Sequence, residues 1–183
     1  STIELAKMAQ LSEGDKVLDV GCGLGGPART LVEEFGVFVD GIDLTSEFCA
    51  VANELTRITG LSEGAKFSQG NALNLNCESG SYDVVWTQQS CMNIEDKRQM
   101  FAEVNRVLKP GGVFFFTVPF LWNLHEVPHD EYRYTPFSLK RHFENSEVPF
   151  YSTSFHIDLD LKLKANAEVL EILSDELALY FND

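Results

Sequence analysis

The stretch VLDVGCGLGGPAR, residues 17–29, places four glycines among six residues directly after a short apolar run. Glycine tolerates backbone conformations and close approaches that a Cβ would prevent. A plain turn between a strand and a helix needs fewer glycines, so we expect Gly21–Gly26 to line a bound ligand. The alternative is a tight turn with no ligand. An acidic residue, Asp19, stands two positions before the first glycine and needs its own explanation.

Apolar runs and helical periodicities alternate through the first two-thirds of the chain. Short β-like runs occupy 16–20, 37–44, 65–70, 81–86 and 113–120, and amphipathic patterns predict helices over 26–36, 45–60 and 95–109. Strands separated by helices predict an α/β fold, with a doubly wound, mostly parallel sheet and helices on both faces. Thr45 is the expected N-cap of the helix over 45–60, and the PGG at 110–112 is expected to end the helix over 95–109.

The last third of the chain is less regular. Its pattern predicts a helix over 135–146, an antiparallel edge strand over 155–163 and a closing amphipathic helix over 166–181. We expect one domain over 1–183, with a cofactor half at 1–118 and a substrate loop with C-terminal elements at 119–183. The first residues already have a helical pattern, so we expect the natural chain to begin earlier.

Composition narrows the classes of partner. The formal net charge is −14, which repels phosphate backbones, so we expect no nucleic-acid partner and favour a neutral or cationic small substrate. We see neither an apolar run of about 18 residues nor a secretory signal pattern, so we expect no membrane partner. The four cysteines form no CxxC pair, and we expect reduced thiols in a cytoplasmic protein.

The residues around the glycines indicate the kind of ligand. Gly21, Gly23 and Gly26 satisfy GxGxxG, a weak dinucleotide signal when it stands alone. Asp19 opposes that interpretation because its carboxylate would repel a pyrophosphate, whereas an ammonium or sulfonium group would be attracted. Asp19 could instead accept hydrogen bonds from loop amides. Asp43, 20 residues after Gly23, can accept both hydroxyls of a ribose, or could cap the following helix.

Five blocks in order, VLDVGCGLGGPAR, GIDLT, GNALNL, SYDVVWTQQSCMNI and RVLKPGG, resemble the class I S-adenosylmethionine-dependent methyltransferases. Within that superfamily the chain is most similar to the type 11 branch, which holds sarcosine/dimethylglycine, sterol and ubiquinone-type small-molecule methyltransferases. The resemblance covers residues 16 to about 118. It implies a Rossmann-like fold, S-adenosyl-L-methionine as cofactor, and in-line transfer of a methyl group to a nitrogen, oxygen or carbon of a small-molecule acceptor.

The resemblance also implies roles for several of the cofactor-binding positions. The glycine loop would pass the methionine part, Asp43 would hold the ribose, and Leu44 would lie against the adenine. The family usually has aspartate where this chain has Asn71, whose amide oxygen can still accept from the adenine amino group. Thr87 and Gln88 would face the methionyl end, although Gln88 could equally be polar loop filling. The cofactor-binding candidates are Asp19, Gly21, Cys22, Gly23, Gly25, Asp43, Leu44, Asn71, Ala72, Leu73, Thr87 and Gln88.

Catalytic candidates come from the segment 123–135, which follows the fifth strand. Methyl transfer has a neutral leaving group, so positioning matters more than acid catalysis, and a base is needed only for a protonated acceptor. We select His125, Tyr132 and Tyr134 as catalytic candidates, with structural hydrogen bonding as the alternative for each. His125 and His129 could be metal ligands on a helix, but Pro128 between them opposes one, so we expect no metal.

Two other functions compete with the methyltransferase. An NAD(P)-dependent oxidoreductase shares the glycine loop, but Asp19 and the missing second domain disfavour it. A binding module that keeps the cofactor site without turnover stays open because of Asn71 and the irregular C-terminal third. The expected partner is a small-molecule methyl acceptor. The closing helix over 166–181 is expected to pack on the core, and it could instead cover the active site or pair with a second copy in a homodimer.

Overall fold

The computed structural model describes residues 1–119 and 158–164. Its helices are α1 (Thr2–Ala9), α2 (Gly26–Phe35), α3 (Ser46–Ile58) and α4 (Lys97–Val107), with a short 3₁₀ helix at Cys91–Asn93. Its strands are β1 (Lys16–Val20), β2 (Phe38–Asp43), β3 (Ala65–Gln69), β4 (Tyr82–Thr87), β5 (Leu108–Pro119) and β6 (Asp158–Lys164).

The strands form one sheet in the order β3-β2-β1-β4-β5-β6. Strands β1 to β5 pair in parallel, and β6 pairs antiparallel with β5. The chain builds outward from β1 to β3 and then returns to β4 on the other side of β1, which makes the sheet doubly wound. The predicted fold class, a mostly parallel α/β sheet with helices on both faces, is therefore confirmed.

Each face of the sheet has its own apolar core. On one face α4 buries Met100, Phe101 and Val104 against β4 and β5. On the other face α1, α2 and α3 cover a core that contains Trp86 and Phe115, whose rings stack with centroids 4.4 Å apart. The side chains of β1 alternate between the two cores, so Leu18 and Val20 face α4 while Val17 faces the three other helices.

The outer edge of the sheet at β3 is covered by a side chain. The Asn53 amide on α3 donates to the Phe67 carbonyl oxygen at 2.7 Å, and the Phe67 N–H donates to Asn53 Oδ1 at 3.0 Å. One amide side chain therefore satisfies the two backbone groups that a further strand would otherwise pair with.

The prediction that the PGG at 110–112 ends the helix over 95–109 is wrong. Helix α4 stops at Val107, and β5 already begins at Leu108, before the PGG. Pairing with β4 shifts register here, since Tyr82 lies opposite Leu108 and Val84 opposite Val113. The proline and glycines, with Gly111 at φ +79°, form an irregular start of the strand instead of a separating turn.

Of the predictions for the C-terminal third, only the edge strand lies among the described residues. Strand β6 occupies Asp158–Lys164, close to the predicted 155–163. The predicted helices over 135–146 and 166–181 lie outside the described residues. Within residues 1–119 and 158–164, no helix has the length and apolar character needed to cross a membrane.

Candidate functional site

The candidate site lies where β1 and β4 are neighbours, because the direction in which the chain builds the sheet reverses between them. In open α/β sheets, ligands bind in the crevice beyond the carboxyl ends of the strands at such a reversal. Here β1 ends at Val20 before the glycine loop, β2 ends at Asp43, and β4 ends at Thr87. The topology thus brings together three of the segments that the sequence singles out.

The glycine loop is shaped by backbone contacts with β2. The N–H groups of Gly21 and Cys22 both donate to the Ile42 carbonyl oxygen, at 2.9 and 3.0 Å. Gly21, Gly23 and Gly25 have φ values of +76°, +53° and +71°, in the left-handed region that side chains disfavour. The loop conformation therefore requires glycine at these positions, as the sequence suggests.

The three glycines differ in what surrounds their Cα atoms. A Cβ at Gly21 would collide with the Ser90 side chain, and one at Gly25 would collide with the Phe67 ring. A Cβ at Gly23 would meet no described atom within 4 Å. Gly21 and Gly25 are thus needed for packing within the protein, whereas the space beside Gly23 is open to a ligand.

Asp19 is the most unusual polar group in the described residues. Its side chain is 2% exposed, and its Oδ2 atom has no hydrogen-bond partner among the residues that the structure describes. Burial, with a smaller contribution from the charge of Asp43, raises the pKa of Asp19 to about 7. The Asp19 carboxylate therefore lacks local compensation for its charge.

The position of Asp19 differs from the expected one. From charge alone, the sequence predicts the Asp19 carboxylate beside the ligand, but the side-chain alternation of β1 places Asp19 on the face that α1, α2 and α3 cover. Its register partner on β4 is Trp86, whose indole Nε1 likewise has no hydrogen-bond partner in the described part of the chain. Asp19 thus lies in the core on that face, close enough to Asp43 for the two charges to interact.

Asp43 is fixed by two backbone amides. Its Oδ2 accepts from the Gly23 N–H at 3.0 Å, and its Oδ1 accepts from the Thr45 N–H at 2.9 Å. Thr45 is the N-cap of α3, as expected, but its hydroxyl makes no capping hydrogen bond. Each carboxylate oxygen keeps a further lone pair, and the half-buried side chain is pre-oriented at the crevice.

The next residues form an exposed apolar rim. Leu44 is 70% exposed directly after Asp43, and Leu24 in the glycine loop is 48% exposed. Two large apolar side chains that water contacts beside a carboxylate provide a surface on which a flat ring can lie.

The segment after β3 packs against α4 and is hydrogen-bonded to it. Asn71 is exposed, and its Oδ1 already accepts from the Leu73 N–H at 2.9 Å, so this oxygen has one remaining lone pair for the adenine contact that the resemblance implies. Ala72 and Leu73 pack partly buried against the α4 core. Glu103 accepts from the Leu75 N–H at 2.7 Å, which anchors the loop.

Hydrogen bonds of Ser90 join the end of β4 to the end of β1. Ser90 Oγ donates to the Val20 carbonyl oxygen at 2.8 Å and lies 2.5 Å from Thr87 Oγ1. Thr87 is 1% exposed, so its hydroxyl supports this junction rather than lining an open space. Gln88 is half-buried and accepts from the Thr2 hydroxyl of α1 at 3.4 Å. Sequence reasoning missed Ser90, although it follows the TQQ that marks the strand end.

The catalytic candidates His125, Tyr132 and Tyr134 lie outside the described residues, as do the alternative metal ligands around His129. The described part of the site is therefore its cofactor half.

Comparison with known proteins agrees with this geometry. A family model described as methyltransferase domain matches residues 18–116, which is more than half of the chain. The chain belongs to this methyltransferase domain family. A sterol 24-C-methyltransferase of Gibberella zeae is 36% identical over 110 residues, 60% of this chain and 29% of that protein. The chain thus spans less than half the length of this curated relative.

Two solved structures extend the comparison. The phosphoethanolamine N-methyltransferase 2 of Haemonchus contortus, in complex with S-adenosyl-L-methionine, has a TM-score of 0.68 at 24% identity, over 84% of this chain and 38% of that one. The cyclase SpnF has a TM-score of 0.71 at 25% identity, over 85% of this chain and 61% of that one. The shared fold therefore occurs in proteins named for more than one reaction.

Proposed function

We propose that this chain binds S-adenosyl-L-methionine at the β1–β4 reversal and transfers its methyl group to a small-molecule acceptor. The observation that carries the proposal is the buried Asp19 carboxylate without a partner among the described residues, with the second carboxylate Asp43 near it. Two neighbouring carboxylates favour a ligand with positive charge and disfavour the diphosphate of a dinucleotide. The sulfonium and ammonium groups of S-adenosylmethionine meet this requirement.

The residues present fit the cofactor in three further respects. The space beside Gly23 admits a ligand against the loop backbone. Asp43 offers a lone pair on each oxygen at a fixed orientation, which suits the two hydroxyls of a ribose. Leu44 offers an exposed apolar surface for the adenine ring.

The protein's contribution to the reaction is position and charge. When bound, the cofactor supplies a methyl carbon on a positively charged sulfur. An acceptor lone pair can attack that carbon, and the sulfur leaves as a neutral thioether. The glycine loop would cover one side of the bound cofactor, and Asp43 would hold its ribose hydroxyls. Holding the reacting atoms within about 3.5 Å in line can supply most of the rate enhancement. We propose His125, Tyr132 and Tyr134 as the groups that receive the acceptor's proton where one is released.

The acceptor class follows from charge and from the relatives. The net charge of −14 disfavours nucleic acid, and the Gibberella zeae and Haemonchus contortus proteins are named for sterol and phosphoethanolamine methylation. We propose a small organic acceptor and a cytoplasmic setting, where the four free thiols stay reduced. The residues 1–183 are proposed to form one domain, and pairing with a second copy stays a prediction.

Calorimetric titration tests the cofactor. The chain is titrated separately with S-adenosylmethionine, S-adenosylhomocysteine and NAD, and the first two are expected to bind saturably. Asp43→Ala should weaken both, whereas Asp40→Ala, which removes an equal charge from another position of β2, should leave them unchanged. Saturable binding of NAD alone would overturn the proposal.

The second candidate function is the cofactor-binding fold without methyl transfer, which the likeness to the cyclase SpnF favours. Formation of S-adenosylhomocysteine is measured against a panel of amines, sterols and quinols. Tight cofactor binding with no turnover on any acceptor would support this second function.

A further inference from the structure

Arg29 stands where helix electrostatics disfavour a cation. It is the fourth residue of α2, and the partial positive charge of a helix N-terminus opposes a basic side chain in its first turn. The glycine loop leads directly into this helix. The location therefore calls for a compensating interaction of the guanidinium.

The guanidinium finds that compensation in the glycine loop and in α3. Arg29 Nη1 donates to the Leu24 carbonyl oxygen at 2.8 Å and lies 3.5 Å from the Ala52 carbonyl oxygen and 3.4 Å from Thr56 Oγ1. All three partners are neutral oxygens, and Thr56 is 1% exposed. A Cβ on Gly25 would come to 3.0 Å from Nη1, so the guanidinium packs directly against the loop. One side chain thus connects the loop to the helix that follows Asp43.

The loop is also bonded to the end of β2, through the N–H groups of Gly21 and Cys22 to the Ile42 carbonyl oxygen and through the Gly23 N–H to Asp43 Oδ2. Leu24 follows Gly23, so Arg29 restrains the loop one residue beyond that amide. If the loop moved away from α3, the Gly23 N–H would lose its hydrogen bond to Asp43. The distance between the loop and the Asp43 carboxylate would then change.

We propose that Arg29 is a positioning residue that sets the glycine loop at a fixed distance from Asp43, and thereby determines affinity for the methionyl part of the cofactor. The inference rests on the proposed function, which it deepens. Arg29 contacts the loop and α3, so it acts through the loop backbone.

The test compares two ligands that share adenosine. S-adenosylhomocysteine carries the methionyl-derived tail, and 5′-methylthioadenosine lacks it. In Arg29→Met, the dissociation constant of the first should rise about 10-fold, as loss of a hydrogen bond from a charged donor predicts, and that of the second by less than about 3-fold. Arg29→Lys, which keeps one donor for Leu24, should recover part of the difference.

Arg57→Met is the matched control, because Arg57 on α3 is exposed and pairs only with Glu54 among its described partners. It should change neither dissociation constant. A general loss of structure would weaken both ligands together, whereas the proposal requires the two to separate. Equal changes for both ligands in Arg29→Met, or no change, would overturn the role of Arg29 while leaving the cofactor assignment intact.

Hydrogen exchange keeps the proposal testable without ligand. The amides of residues 21–25 should exchange about 10-fold faster in Arg29→Met than in the wild-type chain, while those of 113–117 in β5 keep their rates. Should the wild-type chain bind neither ligand, the proposed function fails, and unchanged exchange at 21–25 would then separately refute the positioning role. Arg29→Gln, a neutral donor, replaces Arg29→Met if that variant does not fold.

Discussion

Replacing Asp19 with asparagine should make the pH dependence of stability flatter. The Asp19 carboxyl is protonated in the folded chain up to its pKa of about 7, whereas in the unfolded chain it ionises near 3.8. Between these values the folded chain holds a proton that unfolding releases, so the free energy of unfolding falls as pH rises and levels off above about 7. The asparagine of the variant would carry no charge at any pH, so the variant lacks this contribution.

The expected size of this stability difference follows from the pH interval over which unfolding can be measured. From pH 5.5, safely above the pI of about 4.6, to the pKa of about 7 is roughly 1.5 pH units, and each unit corresponds to about 1.4 kcal/mol. The stability of Asp19→Asn relative to the wild-type chain should therefore increase by about 2 kcal/mol between pH 5.5 and pH 8.5. The ionisable groups other than Asp19 are the same in both proteins, so their contribution cancels in this difference.

Urea unfolding followed by circular dichroism at pH 5.5, 7 and 8.5 measures the effect. Asp83→Asn serves as control, because hydrogen bonds from Lys109 and from the Lys16 amide keep the pKa of Asp83 below its usual value, outside this interval. Saturating S-adenosylmethionine should flatten the wild-type profile, since a nearby cation favours ionised Asp19. Wild-type and Asp19→Asn profiles that run parallel would refute the reasoning.

The remaining predictions concern the glycine loop and Asp43. Gly21→Ala should destabilise the fold by about 2–4 kcal/mol, since its Cβ meets Ser90, against about 1 kcal/mol for Gly60→Ala, which has a similar φ and open space; equal unfolding midpoints would contradict this. Gly23→Ala should cost no more than Gly60→Ala yet abolish calorimetric binding of S-adenosylhomocysteine; retained affinity would show that no ligand lies beside Gly23. Asp43→Ala should weaken that binding by about 1.5–3 kcal/mol through lost charge-assisted hydrogen bonds; an unchanged dissociation constant would place the ribose elsewhere.

Much of the fold could be predicted because local patterns and global topology agree. The run 16–20 is β1 without a change of bounds, and the amphipathic pattern over 95–109 contains α4, which buries Met100, Phe101 and Val104. The irregular start of β5 could not be read, because Pro-Gly-Gly is usual in turns, and only pairing with Tyr82 and Val84 shows that it belongs to a strand.

The sequence predicts that candidate site residues lie at strand ends, but it does not predict how deeply each side chain is buried. Strand ends mark Asp43 and Thr87 as crevice residues, yet Thr87 is buried through its contact with Ser90, three residues along. The burial of Asp19 depends on which face of β1 the helices cover, and that is a property of packing. Arg29 gave no local signal, because its partners on Leu24 and Ala52 are backbone carbonyls, which every sequence has.

The amide of Asn53 on the outer strand has a consequence for self-association. With the N–H and carbonyl of Phe67 both occupied, a neighbouring molecule cannot dock a strand at this position without first displacing a side chain. A glutamine there would have to reach differently, and an alanine would leave one donor and one acceptor unprotected along the border of the sheet. Protection of the Phe67 backbone against intermolecular β-pairing thus depends on the side chain of one residue of a neighbouring helix.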